Sequence, residues 1–267
     1  MRAVFTALER PCIVLKTAMI GANLAGGKVC GHRVFESANL DMRKPYGNKT
    51  TILLEDQVKF KEPMGMFDSW FKEVQALSNI GYEEVNAMEL STATRDGKPS
   101  CRPVLLKAYS QAGFTFYSST NSRKGKEMKD NPNVCLTFYW PSMNRTVRVE
   151  GTVEIISDNE ADTYWNSRPV QSQASAYASH QSSVVPSRQY LEERVAQVKR
   201  DFTEIGLTIP RPTTWVGYLV KPAEVEFWQG QSDRLHDRLR FRRRQAVKQH
   251  DDPPNKEDVW IIERLSP

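Results

Sequence analysis

The feature that most constrains this chain is a run of short β-type segments between residues 87 and 264, each bounded by a turn signal. The segment 87–94 leads into Arg95-Asp96-Gly97-Lys98. Asp-Gly is a strong hairpin signal, because both residues tolerate the positive φ of a tight reversal. Further strands are predicted at 102–109, 114–118, 134–140, 146–156, 215–220, 225–228, 234–241 and 259–264, with turns at Gly113 and at 141–144. Strands this short and this regularly spaced predict a barrel. Helices are predicted around it. At 63–78, Met66, Phe67, Trp70, Phe71, Val74 and Leu77 recur at helical spacing, most simply as core. Ser157 with Glu160 forms a capping box that opens a helix toward Ser167. A long charged helix is predicted at 186–202. The polar stretches 168–186 and 203–214 read as long loops, which are usually functional or mobile.

Length and composition bound the function. The 267 residues suffice for one or two domains with a sizeable core. No apolar run approaches the ~20 residues of a membrane-spanning helix, so no membrane partner is expected. The formal charge is +5, which suits an anionic partner without choosing among nucleic acid, membrane surface and phosphorylated small molecules. Cys12, Cys30, Cys101 and Cys135 lack metal-ligand spacing, and His32, His180, His236 and His250 are scattered, so no metal is expected and a reducing compartment is the default. Residues 1–41 hold five basic and three acidic residues and read as an appendage, either a disordered leader or a transit peptide. The localisation expected is cytoplasmic, or mitochondrial if the leader directs import.

Three clusters carry chemistry. The first joins Arg102 and Lys107 to Ser118 and to Ser122-Arg123-Lys124-Gly125-Lys126. Ser122 is a good N-cap, and cations in the first turn oppose the helix dipole unless an anion docks there. A lysine-rich surface turn is the plainer alternative, and no P-loop or Rossmann glycine pattern is present. In the second, Tyr164 and Arg168 share a helix face and precede Ser172 and Ser179-His180-Gln181-Ser182-Ser183, a plausible phosphate clamp. In the third, a strand through 234–238 would point Arg234, His236 and Arg238 to one strongly electropositive face. The densest basic run, at 240–244, offers a nucleic-acid patch or a solvated hairpin tip.

Taken together these segments resemble the pyridoxine (pyridoxamine) 5′-phosphate oxidase family. The resemblance runs from about Met42 to Pro267 and rests on seven ordered motifs. They are Arg102-Pro-Val-Leu-Leu-Lys107, Ser122-Arg-Lys-Gly-Lys126, Ser167-Arg-Pro169, His180-Gln-Ser-Ser183, Glu226-Phe-Trp-Gln-Gly230, Arg234-Leu-His-Asp-Arg238 and Arg264-Leu-Ser-Pro267. It implies a mixed α+β, predominantly β fold, a split β-barrel that binds FMN, with peripheral helices and a C-terminal dimerisation segment at about 213–267. It implies a homodimer with FMN at the interface, and oxidation of pyridoxine 5′-phosphate and pyridoxamine 5′-phosphate by dioxygen. Carried over, Arg102, Val104, Leu105, Ser118, Arg123, Lys124, Thr146, Gln181, Ser182, Trp228 and Arg238 contact FMN. Lys107, Tyr164, Arg168 and Ser172 grip the substrate phosphate, and Arg234 and His236 are the catalytic pair over the substrate ring. Thr146 stands where the family usually has Gln, Pro103 where it has Met or Ile, and Ser266 where it has Ala. The first two are expected to weaken FMN binding. The competing expectations are a non-catalytic flavin-binding relative of the same barrel and, outside the family, a nucleic-acid binder.

Overall fold

The computed structural model describes residues 46, 52–77, 81, 83–243 and 260–267. All that follows concerns the unit Pro45–Pro267. The leader 1–41, the helix end predicted at Ser78, and the basic run from Arg244 onward lie outside the described residues.

The strands are β1 Ala87–Ala93, β2 Pro99–Leu105, β3 Ala108–Ser110, β4 Gly113–Ser119, β5 Asn133–Trp140, β6 Arg145–Ile155, β7 Trp215–Gln229, β8 Asp237–Arg243 and β9 Trp260–Arg264. Every pairing is antiparallel, and the order is β2-β1-β5-β6-β7-β4-β3, with β8 added to β7 and β9 to β8. The sheet curls into a half-barrel, and α1 Pro63–Gln75 packs into the curl. Glu62 starts that helix by accepting from the backbone N–H groups of Met64 and Gly65, each at 2.7 Å. The expected stripe is buried from Met66 to Val74, whereas Leu77 lies past the helix end and is only half-buried. Phe67, fully enclosed, meets Phe71, Tyr109, Phe114 and Phe138 with ring centroids 4.8–5.5 Å apart.

The sequence suggests a break between 220 and 225, but β7 is one strand of 15 residues. Along one edge it changes partner: Trp215 to Val220 pair with β4, and Glu224 to Gln229 pair with β8. Pro222, which has no N–H to give, falls opposite a register shift in β6 between Glu150 and Gly151. Only glycine fits there, since a Cβ on Gly151 would lie 2.0 Å from the Lys221 carbonyl oxygen. The partner switch is what splits the barrel: β4 and the β8–β9 ribbon take successive stretches of one edge of β7, and β6 takes the other edge.

The helices correct the sequence reading in one place. The stretch 168–186 is not a loop throughout, because α4 Val170–Ala178 follows α3 Asp158–Ser167 almost directly. Its polar composition hides a buried face of Gln173, Ala174 and Ala178. The Ser157 capping box is present, and α5 Arg188–Asp201 is capped by Ser187. The segment 203–214 is anchored rather than loose. Ile209 is buried, its carbonyl accepts from Trp165 Nε1 at 2.8 Å, and Arg211 bridges Asp158 and Asp162. No helix among the described residues is long and apolar enough to cross a membrane.

Candidate active site

The first cluster assembles at the start of α2 Arg123–Asp130. Ser122 Oγ accepts from the Gly125 N–H at 3.2 Å, as its N-cap role requires. Gly125 lets the helix sit against the end of β4: a Cβ there would lie 2.5 Å from the carbonyl oxygens of Ser119 and Thr120. This close seat buries Lys124. Its ammonium donates to Ser118 Oγ at 3.2 Å and to Gln181 Oε1 at 3.0 Å, both neutral. Burial, reinforced by the nearby Arg102 charge, pulls the Lys124 pKa down. A buried cation with only neutral hydrogen-bond partners suits an anion.

A cavity of about 440 Å³ opens beside it, lined by Pro103, Val104, Leu105, Lys107, Ser118, Lys124, Tyr164, Arg168, Ser172 and Gln181 among others. The predicted phosphate clamp therefore comes together, although its members lie on different elements. Arg168 caps α3 and lies over the rings of Trp165 and Trp215, 5.1 and 4.9 Å from their centroids. Among the described residues its Nη1 is buried without a hydrogen-bond partner, and burial lowers its pKa. Tyr164 stacks on Tyr117 at 4.1 Å, which stacks in turn on Trp215 at 5.0 Å, so the cavity has an aromatic wall. Pro103 is tolerated because β2 is an edge strand of the sheet. An adjoining cavity of about 600 Å³ shares Gln181 and adds Arg123, Ser182, His180 and Lys126. Ser182 has φ +71°, a left-handed conformation that turns the chain at this rim.

Thr146, Trp228 and Arg238 meet elsewhere. Facing across β6, β7 and β8, they line an outer cavity of about 450 Å³ with Tyr139, Arg148, Glu226 and Pro267. It shares no lining residue with the first cavity.

The expected single face of Arg234, His236 and Arg238 is not what folds. The strand begins at Asp237, and Arg234 sits in the preceding turn with φ +68°. Asp233 drives that turn by accepting from the Leu235 N–H at 2.9 Å. His236 Nδ1 accepts from the Gln231 N–H at 3.0 Å, which puts the proton of the neutral ring on Nε2. Its ring lies against Trp228 at 4.9 Å. Arg238 is already neutralised, with Nε and Nη2 on the Glu226 carboxylate at 2.6 and 3.2 Å and Nη1 on the Ser266 carbonyl at 2.7 Å. The basic run is also paired. Arg240 and Arg242 both bind Glu263, at 2.6 and 2.8 Å.

Four residues of the site have no role assigned from the sequence. Glu226 and Glu127 are counter-charges for the arginines. Asp237 is buried and accepts from Gln231, Leu53 and Arg264, fixing the turn that carries Arg234. Tyr46 meets His236 and Trp228 edge-on at 5.6 and 6.1 Å. Asp237 and Glu226 sit inside quoted motifs, so strand alternation could have assigned them. Tyr46 carries no local signal.

Comparison with known proteins agrees with this geometry. A family model described as pyridoxamine 5′-phosphate oxidase matches residues 73–200, and one for the pyridoxine 5′-phosphate oxidase C-terminal dimerisation region matches 215–267. A relative from Bombyx mori named pyridoxine/pyridoxamine 5′-phosphate oxidase is 42% identical over 263 residues, covering 96% of this chain and 98% of its own. The chain belongs to the pyridoxamine 5′-phosphate oxidase family. Another of its relatives, pyridoxine-5′-phosphate oxidase of Bos taurus, is 43% identical over 85% of this chain and 86% of its own. Among solved structures, PhzG from Burkholderia lata superposes with a TM-score of 0.71 at 28% identity, covering 82% of this chain and all of that one. The fold is therefore the split barrel of this oxidase family.

Proposed function

We propose that the chain oxidises pyridoxine 5′-phosphate and pyridoxamine 5′-phosphate to pyridoxal 5′-phosphate, with FMN as cofactor and dioxygen as acceptor. The observation that carries this is the first cavity. There a buried ammonium, Lys124, and a buried guanidinium nitrogen without a partner among the described residues, Arg168 Nη1, meet one aromatic-walled space. Two such cations suit two phosphate-bearing molecules, one cofactor and one substrate. The residues fit FMN: Arg102, Ser118, Arg123, Lys124, Gln181 and Ser182 would hold its phosphate, and Val104 and Leu105 would line its path. Thr146, Trp228 and Arg238 lie in a separate cavity, which supports a homodimer in which one chain's outer cavity completes the other's site. The segment 215–267, which matches a dimerisation-region model, contributes Glu226, Trp228, Arg238 and Pro267 to that outer cavity.

Lys107, Tyr164, Arg168 and Ser172 bind the substrate phosphate. That remote binding energy orients the ring, so the reacting carbon is placed rather than found by diffusion. FMN would supply the two-electron acceptor and dioxygen would reoxidise it, being reduced to hydrogen peroxide; with pyridoxamine 5′-phosphate the imine product is hydrolysed by water to the aldehyde and ammonia. Arg234 and His236 act over the substrate ring. Arg234 holds it in place from an exposed turn, and His236 presents Nε2 toward its polar substituents. The activity is assigned to the cytoplasm, with residues 1–41 as the segment able to redirect it.

The test is the visible spectrum of the FMN-loaded protein under anaerobic conditions, before and after pyridoxine 5′-phosphate. Bleaching reversed by air, with pyridoxal 5′-phosphate released, is expected. A bound flavin that stays unbleached would leave a non-catalytic flavin binder.

A further inference from the structure

Glu127 lies on the inner side of α2, 5% exposed, beneath both arginines of the first cluster. Its Oε1 accepts from Arg123 Nε at 2.8 Å. Its Oε2 accepts from Thr92 Oγ1 at 2.5 Å, Ser100 Oγ at 2.6 Å and Arg102 Nη2 at 3.3 Å. One buried carboxylate thus ties β1, β2 and α2 together. Burial alone would push its pKa up, but the hydrogen bonds from Ser100, Thr92 and Arg123 outweigh it and hold it at about 2.

A negative charge beneath two cations weakens their pull on an anion, so raw attraction does not explain it. Orientation does. Arg123 is exposed and stands in the first turn of α2, where the helix dipole and the neighbouring Lys124 both repel it. Glu127 engages only its Nε, so among the described residues both terminal nitrogens remain for a ligand in the adjoining cavity, which Arg123 and Glu127 line together. Arg102 is fixed from the same side, with Nη1 on the Leu90 carbonyl and Thr92 Oγ1 and Nη2 on Ser100 and Glu127.

We propose that Glu127 is a positioning residue for the flavin phosphate, holding Arg102 and Arg123 from behind so that their remaining N–H groups are set before the phosphate arrives. The proposal rests on the flavin reading above. The cost of aligning two long, mutually repelling side chains is met on folding instead of on binding.

The test is a fluorescence titration of the flavin-free full-length protein with FMN and with riboflavin, the same flavin lacking the phosphate. In Glu127→Gln the FMN dissociation constant should rise about tenfold or more, since hydrogen bonds between charged groups are at stake. The riboflavin constant should stay within about twofold, because riboflavin makes no demand on the two arginines. Equal loss for both flavins would make Glu127 a purely structural group and overturn the proposal, as would no change for either. If Glu127→Gln does not fold, Thr92→Val with Ser100→Ala removes two of the donors that hold Oε2. That variant should weaken FMN about threefold and leave riboflavin unmoved. A wild-type protein that does not prefer FMN to riboflavin would instead sink the flavin-phosphate reading itself.

Discussion

Replacing Arg168 with methionine separates two effects that the native side chain combines. Its Nη1 is buried with no partner among the described residues, and burial already lowers its pKa. An unsatisfied buried N–H costs about 1–3 kcal/mol. Its contacts with the Trp165 and Trp215 rings return about 0.5–1 kcal/mol each. Methionine fills much of the same volume, keeps contact with the indoles through sulfur, and brings no polar atom. The ligand-free variant should therefore be more stable by roughly 1 kcal/mol, which raises the melting temperature of a body this size by about 2–4 °C. Binding goes the other way. Deleting one partner of a desolvated charge pair costs about 2–5 kcal/mol. Affinity for pyridoxal 5′-phosphate should fall by about a hundredfold. Calorimetric melts with and without that ligand read both effects, because a ligand bound only by the folded state raises the melting temperature by mass action. The wild type should gain from the ligand at concentrations where the variant gains little, the variant needing about a hundredfold more for the same shift. A variant that melts several degrees lower without ligand, or gains as much from it, would mean that Nη1 is satisfied within the protein and idle in binding.

Two further outcomes are expected. Arg234→Ala should lower turnover far more than FMN content, because Arg234 sits in an exposed turn and makes no contact that builds the flavin-phosphate cluster; flavin per chain and steady-state rate check this, and wild-type turnover would remove Arg234 from the reaction. The Glu127 contribution to stability should be constant above about pH 5 and fall as pH drops from about 4.5 toward 2. Glu127 has a folded-state pKa of about 2 against an ordinary 4.5, so its contribution is complete above the unfolded value and is lost through the folded one. That contribution is about 3 kcal/mol. Urea melts across this range should show it, with a shallower decline in Glu127→Gln.

Local chemistry made much of the fold legible. The α1 stripe, the Ser157 capping box, the Asp96-Gly97 reversal and the Ser122 cap each follow from a few neighbouring residues. What stayed hidden depends on distant partners. The Lys221-Pro222-Ala223 stretch reads as a break because nothing local says that a bulge in β6 will meet the proline. The polar surface of α4 conceals a helix whose buried face forms only against α3 and α5. In the site, motif residues were found readily, but their electrical state was not. Arg238 looks like a free cation until Glu226 is folded against it across two strands, and Arg234 and His236 look like strand neighbours until Asp233 and Asp237 bend and pin the turn. Charges can be counted in a sequence, whereas their neutralisation is a property of the folded sheet.

The separation of the two cavities has a consequence for inheritance. In the proposed dimer each reaction centre draws its phosphate clamp from one chain and its outer wall from the other. A lesion in the clamp and a lesion in the wall are each carried into both centres when all chains are alike. When two differently damaged chains pair, both defects collect in one centre and the other is built entirely from sound parts. Two inactive alleles of this protein should therefore complement each other when one alters the Arg168 side and the other the Arg238 side, and fail to do so when both alter the same side.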